Sequence, residues 1–322
     1  MKAEHLGASS QAAAGSRRRL LRISFLPPAL ALLLAYPAAI RPARPPACLP
    51  PVPAGAALRA AATLAAEPDP AQAGYVRART VAAQIRTGVA PGREEAVQRE
   101  MELWVSALAQ LPQAAALPWK SWVAETAQPL PELALSLFRA ARRLQGPAVL
   151  AWAEPLDART TPRALRLEIL AAFWAYDPML GWNRTAKALD EPPRGNEPFL
   201  ADLVRLVLAP QPSADATELL LRVARKPGGG TNERCAAIEA LAQRGARAAA
   251  PDLEAIFLSE SGDLTVQTTA LSAICALDRV LCHRILLERM PEPGTRPLLY
   301  EAMRKLRIQE GLPEVPPYLA GS

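Results

Sequence analysis

Residues 234–242 read RCAAIEALA and lead, through a small-residue turn, to APDLEAIFL at 250–258; residues 268–277 then read TTALSAICAL and residues 281–287 read LCHRILL. Laying Ala237, Ala240 and Leu241 over Ala270, Ala273 and Ile274 gives an offset of 33 residues. A period of that length belongs to stacked helix pairs. One such pair cannot bury its own apolar stripe. Neighbours stacked on it build a continuous core, and small Ala side chains let the helices approach closely. The two copies therefore predict an all-α chain, an α-solenoid of stacked antiparallel helix pairs.

Steps of about 34 residues backwards from Arg234 reach Leu200, within Phe199–Leu208, and then Arg166, where Ile169, Leu170, Ala172 and Phe173 match Ala237, Ile238, Ala240 and Leu241. One step forward from the second copy reaches Ala302, with Met303 and Leu306. Each first helix is followed by a predicted second one: Trp182–Leu189, Ala214–Ala224, Pro251–Leu258 and Leu281–Met290. Further upstream, Val97, Met101, Trp104, Val105, Leu108 and Leu111 fall on one helical stripe, and Leu133, Leu135, Leu137, Phe138, Ala141 and Leu144 form another helix that stops at Gly146-Pro147. No sustained apolar–polar alternation marks a strand. The expected organisation is a helical N-terminal part of the solenoid at 57–160, repeats at 161–309 and a proline-bearing tail at 310–322.

The Ala-x-x-Ala-Leu of the first helix, Pro251-x-Leu-x-x-Ile at the start of the second, and Asp263 ahead of the next unit resemble the HEAT-type α-helical repeats. Gln267 departs from that family's pattern, which has a basic residue there. The resemblance implies a scaffold that presents loop and first-turn residues of rigid helix pairs to a protein or peptide partner.

The net charge of +6 has an address. Residues 1–56 hold seven basic groups (Lys2, Arg17, Arg18, Arg19, Arg22, Arg41, Arg44) and one acid (Glu4); taking these from the chain's 37 basic and 31 acidic residues leaves 30 of each in the body. A neutral body lacks the excess of Lys and Arg that phosphate neutralisation draws on, so no nucleic acid is expected as partner. Within the leader, Arg17–Arg22 precede the apolar run Phe25–Ile40, the layout of a secretory signal. Ser16-Arg17-Arg18-Arg19-Leu20-Leu21-Arg22 resembles the twin-arginine export signal, with Leu20 where Phe is commonest. That resemblance implies delivery of residues beyond an export signal at 1–40 and a Pro/Ala-rich linker at 41–56 to the periplasm or cell envelope. The alternatives are an inner-membrane tether through the leader, although Pro27, Pro28 and Pro37 interrupt the run, and an organellar transit peptide.

The residue types for chemistry are sparse. His5 lies in the leader and His283 stands alone in the body, so neither a metal site nor a Ser-His-Asp triad assembles by the common routes, and no cofactor is expected. Gly228-Gly229-Gly230-Thr231 lacks the Lys that a phosphate loop places after its last Gly, and Thr231 or Asn232 is expected to cap the next helix. Glu154 with Asp157, and Asp190 with Glu191, read as exposed loop carboxylates. If the array were an enzyme of lyase or hydrolase type, Glu168 or Asp177 near Trp174 would be its acid–base groups; a cytoplasmic nucleic-acid-binding repeat protein is the other alternative. Cys275 and Cys282 on one unbroken helix would stand about 10 Å apart, beyond disulfide reach, which leaves packed thiols or a bridge from Cys235.

All six tryptophans fall between 104 and 182. Trp104 and Trp174 sit on apolar stripes and read as core. Trp119 and Trp122 flank Lys120 near a Pro turn, while Trp152 and Trp182 lie near helix ends, where an aromatic side chain is half exposed. These four are the candidate anchors for a partner, since Trp is enriched where binding energy concentrates.

Overall fold

The computed structural model describes residues 51–90, 92–192, 198–259, 263–289, 299–300 and 304. The expected export signal, most of the linker, the last repeat around Met303 and Leu306, and the tail lie outside the described residues. A compact unit begins at Val52. Among the described residues every regular element is helical.

The helices are α1 (Ala54–Ala65), α2 (Pro70–Thr87), α3 (Glu94–Leu108), α4 (Trp119–Thr126), α5 (Pro131–Gln145), the short α6 (Leu150–Ala153), α7 (Arg163–Tyr176), α8 (Pro178–Asp190), α9 (Phe199–Asp202, continued as a π-helix over Leu203–Leu208), α10 (Ala214–Arg225), α11 (Thr231–Gln243), α12 (Ala250–Ser259), α13 (Leu264–Leu277) and α14 (Arg279–Arg289). The expected second helices coincide with α8, α10, α12 and α14. Helix α1 starts inside the stretch read as linker, because the Ala-rich run after Pro53 is itself helix-forming.

Local chemistry sets the boundaries. Helix α5 opens with Pro131 in its first turn, carries Arg142 and Arg143 in its last, and stops at Gly146, whose φ of 55° suits glycine. Asp69, Asp177, Ser213 and Asp263 cap α2, α8, α10 and α13 by accepting a hydrogen bond from a first-turn amide. Thr231, expected as a cap, is not one. Gly230 takes the N-cap position of α11, and the Thr231 hydroxyl instead donates to Asp263 Oδ2 of the next unit at 2.6 Å.

From α5 onward the odd-numbered helices begin at 131, 163, 199, 231 and 264, in steps of 32, 36, 32 and 33 residues. Each odd helix from α1 to α13 packs against the next odd helix, and α8, α10 and α12 pack in the same succession. Polar contacts follow the same rule. On the even helices, Arg184 pairs with Glu154 just after α6, Arg222 with Asp190 of α8, Arg225 with Asp252 of α12, and Arg284 with Glu254 of α12. Neighbouring units are stitched to one another at the surface as well as in the core.

Close approach has a local requirement at Gly181. A Cβ there would stand 2.8 Å from the Cα and the N of Trp174, so α8 lies on α7 only because position 181 has no side chain. Trp174 is buried and donates its Nε1 hydrogen to Thr185 Oγ1 at 2.9 Å.

The cysteine geometry corrects the sequence reading. Cys275 and Cys282 form a disulfide with a Cα–Cα distance of 4.9 Å, and Cys235 is a buried free thiol. The estimate of about 10 Å assumed one unbroken helix. Asp278 instead adopts an extended conformation (φ −141°, ψ 97°), ends α13, and caps α14 by accepting from the Leu281 amide at 3.0 Å, which folds the second cysteine back on the first.

Candidate functional site

The four candidate tryptophans divide into two buried and two half-buried side chains. Trp119 starts α4 directly after Leu117-Pro118 and turns inward; it is fully buried, and its Nε1 donates to the Ala114 carbonyl at 2.7 Å. Trp122 is buried too, stacked on Tyr75 of α2 at 4.6 Å and edge-on to Trp119 at 5.6 Å. Both side chains turn inward because the Pro turn aims α4 at the core. Burial, with the Glu125 carboxylate nearby, pushes the Tyr75 hydroxyl up to about 12. Trp152 and Trp182 are half buried, as their places near helix ends imply. Trp152 meets Phe138 edge-on at 5.7 Å and donates to Gln145 Oε1 at 3.0 Å, and Trp182 packs on the core from α8. Trp104 is half buried beneath the Arg77 guanidinium, 4.9 Å from the ring centre.

The carboxylates named for catalysis have other work. Asp177 accepts from the Leu180 amide at 3.0 Å as the cap of α8. Glu168 accepts from Arg139 at 3.1 Å and Arg142 at 2.7 Å, tying α7 to α5. His283 lies on the solvent face of α14. Among the described residues no cluster of His, Cys, Asp and Glu is placed to hold a metal ion.

The densest charged constellation centres on Arg166, on the buried register of α7. Its Nε donates to Asp157 Oδ1 at 3.0 Å, and its two terminal nitrogens donate to both oxygens of Glu191 at 2.7 Å each. The Phe199 ring lies 5.0 Å from the guanidinium carbon. Asp157 retains 3% side-chain exposure and Glu191 22%, against 50% for Glu154 and 59% for Asp190. The reading as exposed loop carboxylates therefore holds for Glu154 and Asp190 and fails for Asp157 and Glu191. Burial pushes the Asp157 carboxyl up against the opposing pull of Arg166, while the hydrogen bonds from Arg166 hold Glu191 below its ordinary range. For Arg166, burial works against the charge, but the hydrogen bonds to Glu191 and Asp157 outweigh it and leave its pKa raised.

A small cavity of about 110 Å³ adjoins this cluster, with Arg159, Thr161, Arg163, Phe199 and Glu233 in its walls. The guanidinium facing it is saturated by two carboxylates, and Arg163 pairs with Asp202. Such an arrangement fastens three chain segments, the turn at Asp157, helix α7 and the end of α8. It offers no carboxyl pair free to trade protons with a substrate. The sequence signal for it was an arginine amid Leu165, Leu167 and Ile169, on a face that otherwise reads as core.

A second recess is wide and open, about 490 Å³, between α8 and α10, lined by Asp190, Glu218, Leu221, Arg222, Arg225 and Lys226. Its walls are mixed, with an apolar residue among both signs of charge. Among the described residues no helix is long and apolar enough to cross a membrane. Comparison of the chain with protein-family models, with curated proteins and with solved structures returned no match.

Proposed function

We propose that the chain is a non-enzymatic, HEAT-like solenoid scaffold that binds a protein or peptide partner in the bacterial cell envelope. The observation that carries this reading is the succession of packed odd helices, each against its counterpart one unit away, with the even helices following suit. Contacts of that kind build an extended surface from repeated small units, the form that repeat proteins use for partner recognition. The mixed open recess at Leu221 and Arg222 suits a peptide or a protein loop better than a small substrate, which takes an enclosed, mostly apolar pocket. The saturated Arg166 cluster speaks against the enzyme alternative, and the charge balance of the body against nucleic acid.

Delivery rests on the leader, whose arginines and apolar run fit an export signal cleaved or retained as a tether. The Cys275–Cys282 bond supports the same compartment, since disulfides persist where the surroundings are oxidising. The test has two arms. Fractionation of a C-terminally tagged chain, wild type against Arg17→Lys with Arg18→Lys, should give an envelope product that the double substitution abolishes; equal cytoplasmic full-length product in both sinks the address. A photoreactive residue at position 221 should give one discrete protein adduct in cells, lost on Arg222→Glu. Absence of any adduct sinks the proposed surface.

A further inference from the structure

The end of α8 is finished by side chains from two other elements. The Leu189 carbonyl, in the last turn, has no partner within the helix and accepts from Lys226 Nζ, just past α10, at 3.3 Å. Beyond the helix, the Pro192 carbonyl accepts from Arg159 Nη2, ahead of α7, at 3.1 Å. Each cation belongs to a different hollow. Arg159 lines the small cavity with Glu191 and Pro192, and Lys226 lines the wide recess with Asp190, so residues 190–192 form a ridge that both hollows share.

Both cations carry charge that no carboxylate offsets by contact. Arg159 and Lys226 are exposed, and among the described residues their hydrogen bonds go to backbone carbonyls alone. Glu191 feels the charge of Arg159, but Arg166 occupies both its oxygens. Arg222 and Arg225 differ, being paired with Asp190 and Asp252. Of the remaining acids on the walls, Glu233 folds back over Gly230 in the first turn of α11, where the helix dipole favours an anion. Glu218 stands one turn ahead of Arg222 on α10, at the spacing of a helical ion pair.

We infer that this ridge is a saddle for an acidic, extended segment of the protein partner, with one carboxylate of the segment on Arg159, another on Lys226 and an apolar side chain against Leu221. A guanidinium and an ammonium each carry several donors, so one bond to a carbonyl leaves both cations free to donate again. Carboxylates supply the charge that the two carbonyls lack, and the resulting bonds are of the stronger, charge-assisted kind. A basic segment would meet like charge at both places. The carbonyls also hold the two side chains in position before the partner arrives, which lowers the ordering cost of binding.

The inference rests on the scaffold reading, since it assigns a chemistry to the partner of the recess at Leu221. It is tested by fluorescence polarisation of the full chain with short labelled peptides, a Glu-Ser-Leu repeat against its Gln-Ser-Leu and Lys-Ser-Leu counterparts. Arg159→Gln and Lys226→Gln each keep a donor for the carbonyl, so the end of α8 stays closed while the charge is lost. Arg284→Ala, from the exposed pair with Glu254, is the control. The expected result is that the Glu repeat binds more tightly than the other two, less so as salt rises, and about fivefold more weakly to each Gln variant, with the control unchanged. Binding of the Glu repeat that is absent, or equal in wild type and both Gln variants, overturns the acidic saddle. If the adduct at position 221 persists in that case, the scaffold stands with a partner of other chemistry; if the adduct is absent too, both readings fall. Full displacement of the peptide by a single-stranded oligonucleotide of equal charge would make the ridge a general polyanion site and overturn the assignment to a peptide.

Discussion

Arg234 and Gln267 occupy the same place in successive units, and each donates a side-chain hydrogen to a backbone carbonyl ten residues earlier: Arg234 Nε to Ala224 at 3.0 Å, and Gln267 Nε2 to Phe257 at 3.3 Å. Arg166, two units upstream of Gln267's predecessor Arg234, also reaches back nine residues, but to the side-chain carboxylate of Asp157 and not to a backbone carbonyl. The glutamine that departs from the repeat pattern thus keeps the contact while dropping the charge. The carbonyl it serves belongs to the even helix of the preceding unit, whose last turn has no partners within the helix.

If the hydrogen bond is what position 267 supplies, Gln267→Leu should lower stability by about 1–3 kcal/mol through the orphaned Phe257 carbonyl, and Gln267→Arg should leave it nearly unchanged. Urea midpoints of the two variants check this. Equal losses would show that shape, not the donor, matters at that position.

Removing Arg166 strands two carboxylates, one of them buried. Arg166→Met should cost about 3–5 kcal/mol, whereas adding Asp157→Asn and Glu191→Gln to it should recover much of the loss, because an uncompensated buried charge is worse than none. A triple variant no more stable than Arg166→Met would refute the account of the cluster as charge compensation.

The period of the repeat, the even helices and the core face of α5 could be read from residue patterns, because apolar spacing and helix-ending glycines act locally. The remaining features depend on where the chain turns. The disulfide was hidden by measuring Cys275 to Cys282 along one unbroken helix, although the repeat itself ends its first helix between them; the capping signal Asp278 followed by Leu281 held the correction. Trp119 and Trp122 face the core because of the direction in which the Leu117-Pro118 turn sends α4, which no residue count reveals. Arg166 sits on the buried register in plain view, but its partners lie 9 and 25 residues away in two different loops.

Steric contrast between two glycines separates backbone from side-chain obstruction. A methyl at Gly181 meets the Trp174 backbone, while one at Gly74 meets the movable ends of Leu108 and Leu64. Gly181→Ala should therefore cost about 1–3 kcal/mol and Gly74→Ala clearly less, since Leu side chains can repack. Thermal midpoints of both variants read the difference. An equal drop would mean that α7 and α8 separate more freely than their contact implies.

The exposed arginine pairs between even helices should matter little one at a time. A double-mutant cycle on Arg222 and Asp190, both largely exposed, should return a coupling of no more than about 1 kcal/mol that shrinks in high salt. Coupling well above that would make the surface stitching a principal cohesive force of the stack.

Acid should expose the opposite leanings of the two Arg166 partners. Glu191 has a folded-state pKa below its unfolded value, so it contributes stability above the unfolded pKa that is lost as pH falls through the folded one. Asp157 has a raised folded-state pKa, so its contribution runs the other way: the folded state takes up its proton first, and stability falls as pH rises through that value. Glu191→Gln should flatten the loss of stability on acidification below about pH 5, and Asp157→Asn should steepen the loss between about pH 7 and about pH 4, as read from urea midpoints at the ends of each window. Changes of the same sign in both variants would show that the two carboxylates titrate as one group shared through Arg166, and would overturn their separate assignments.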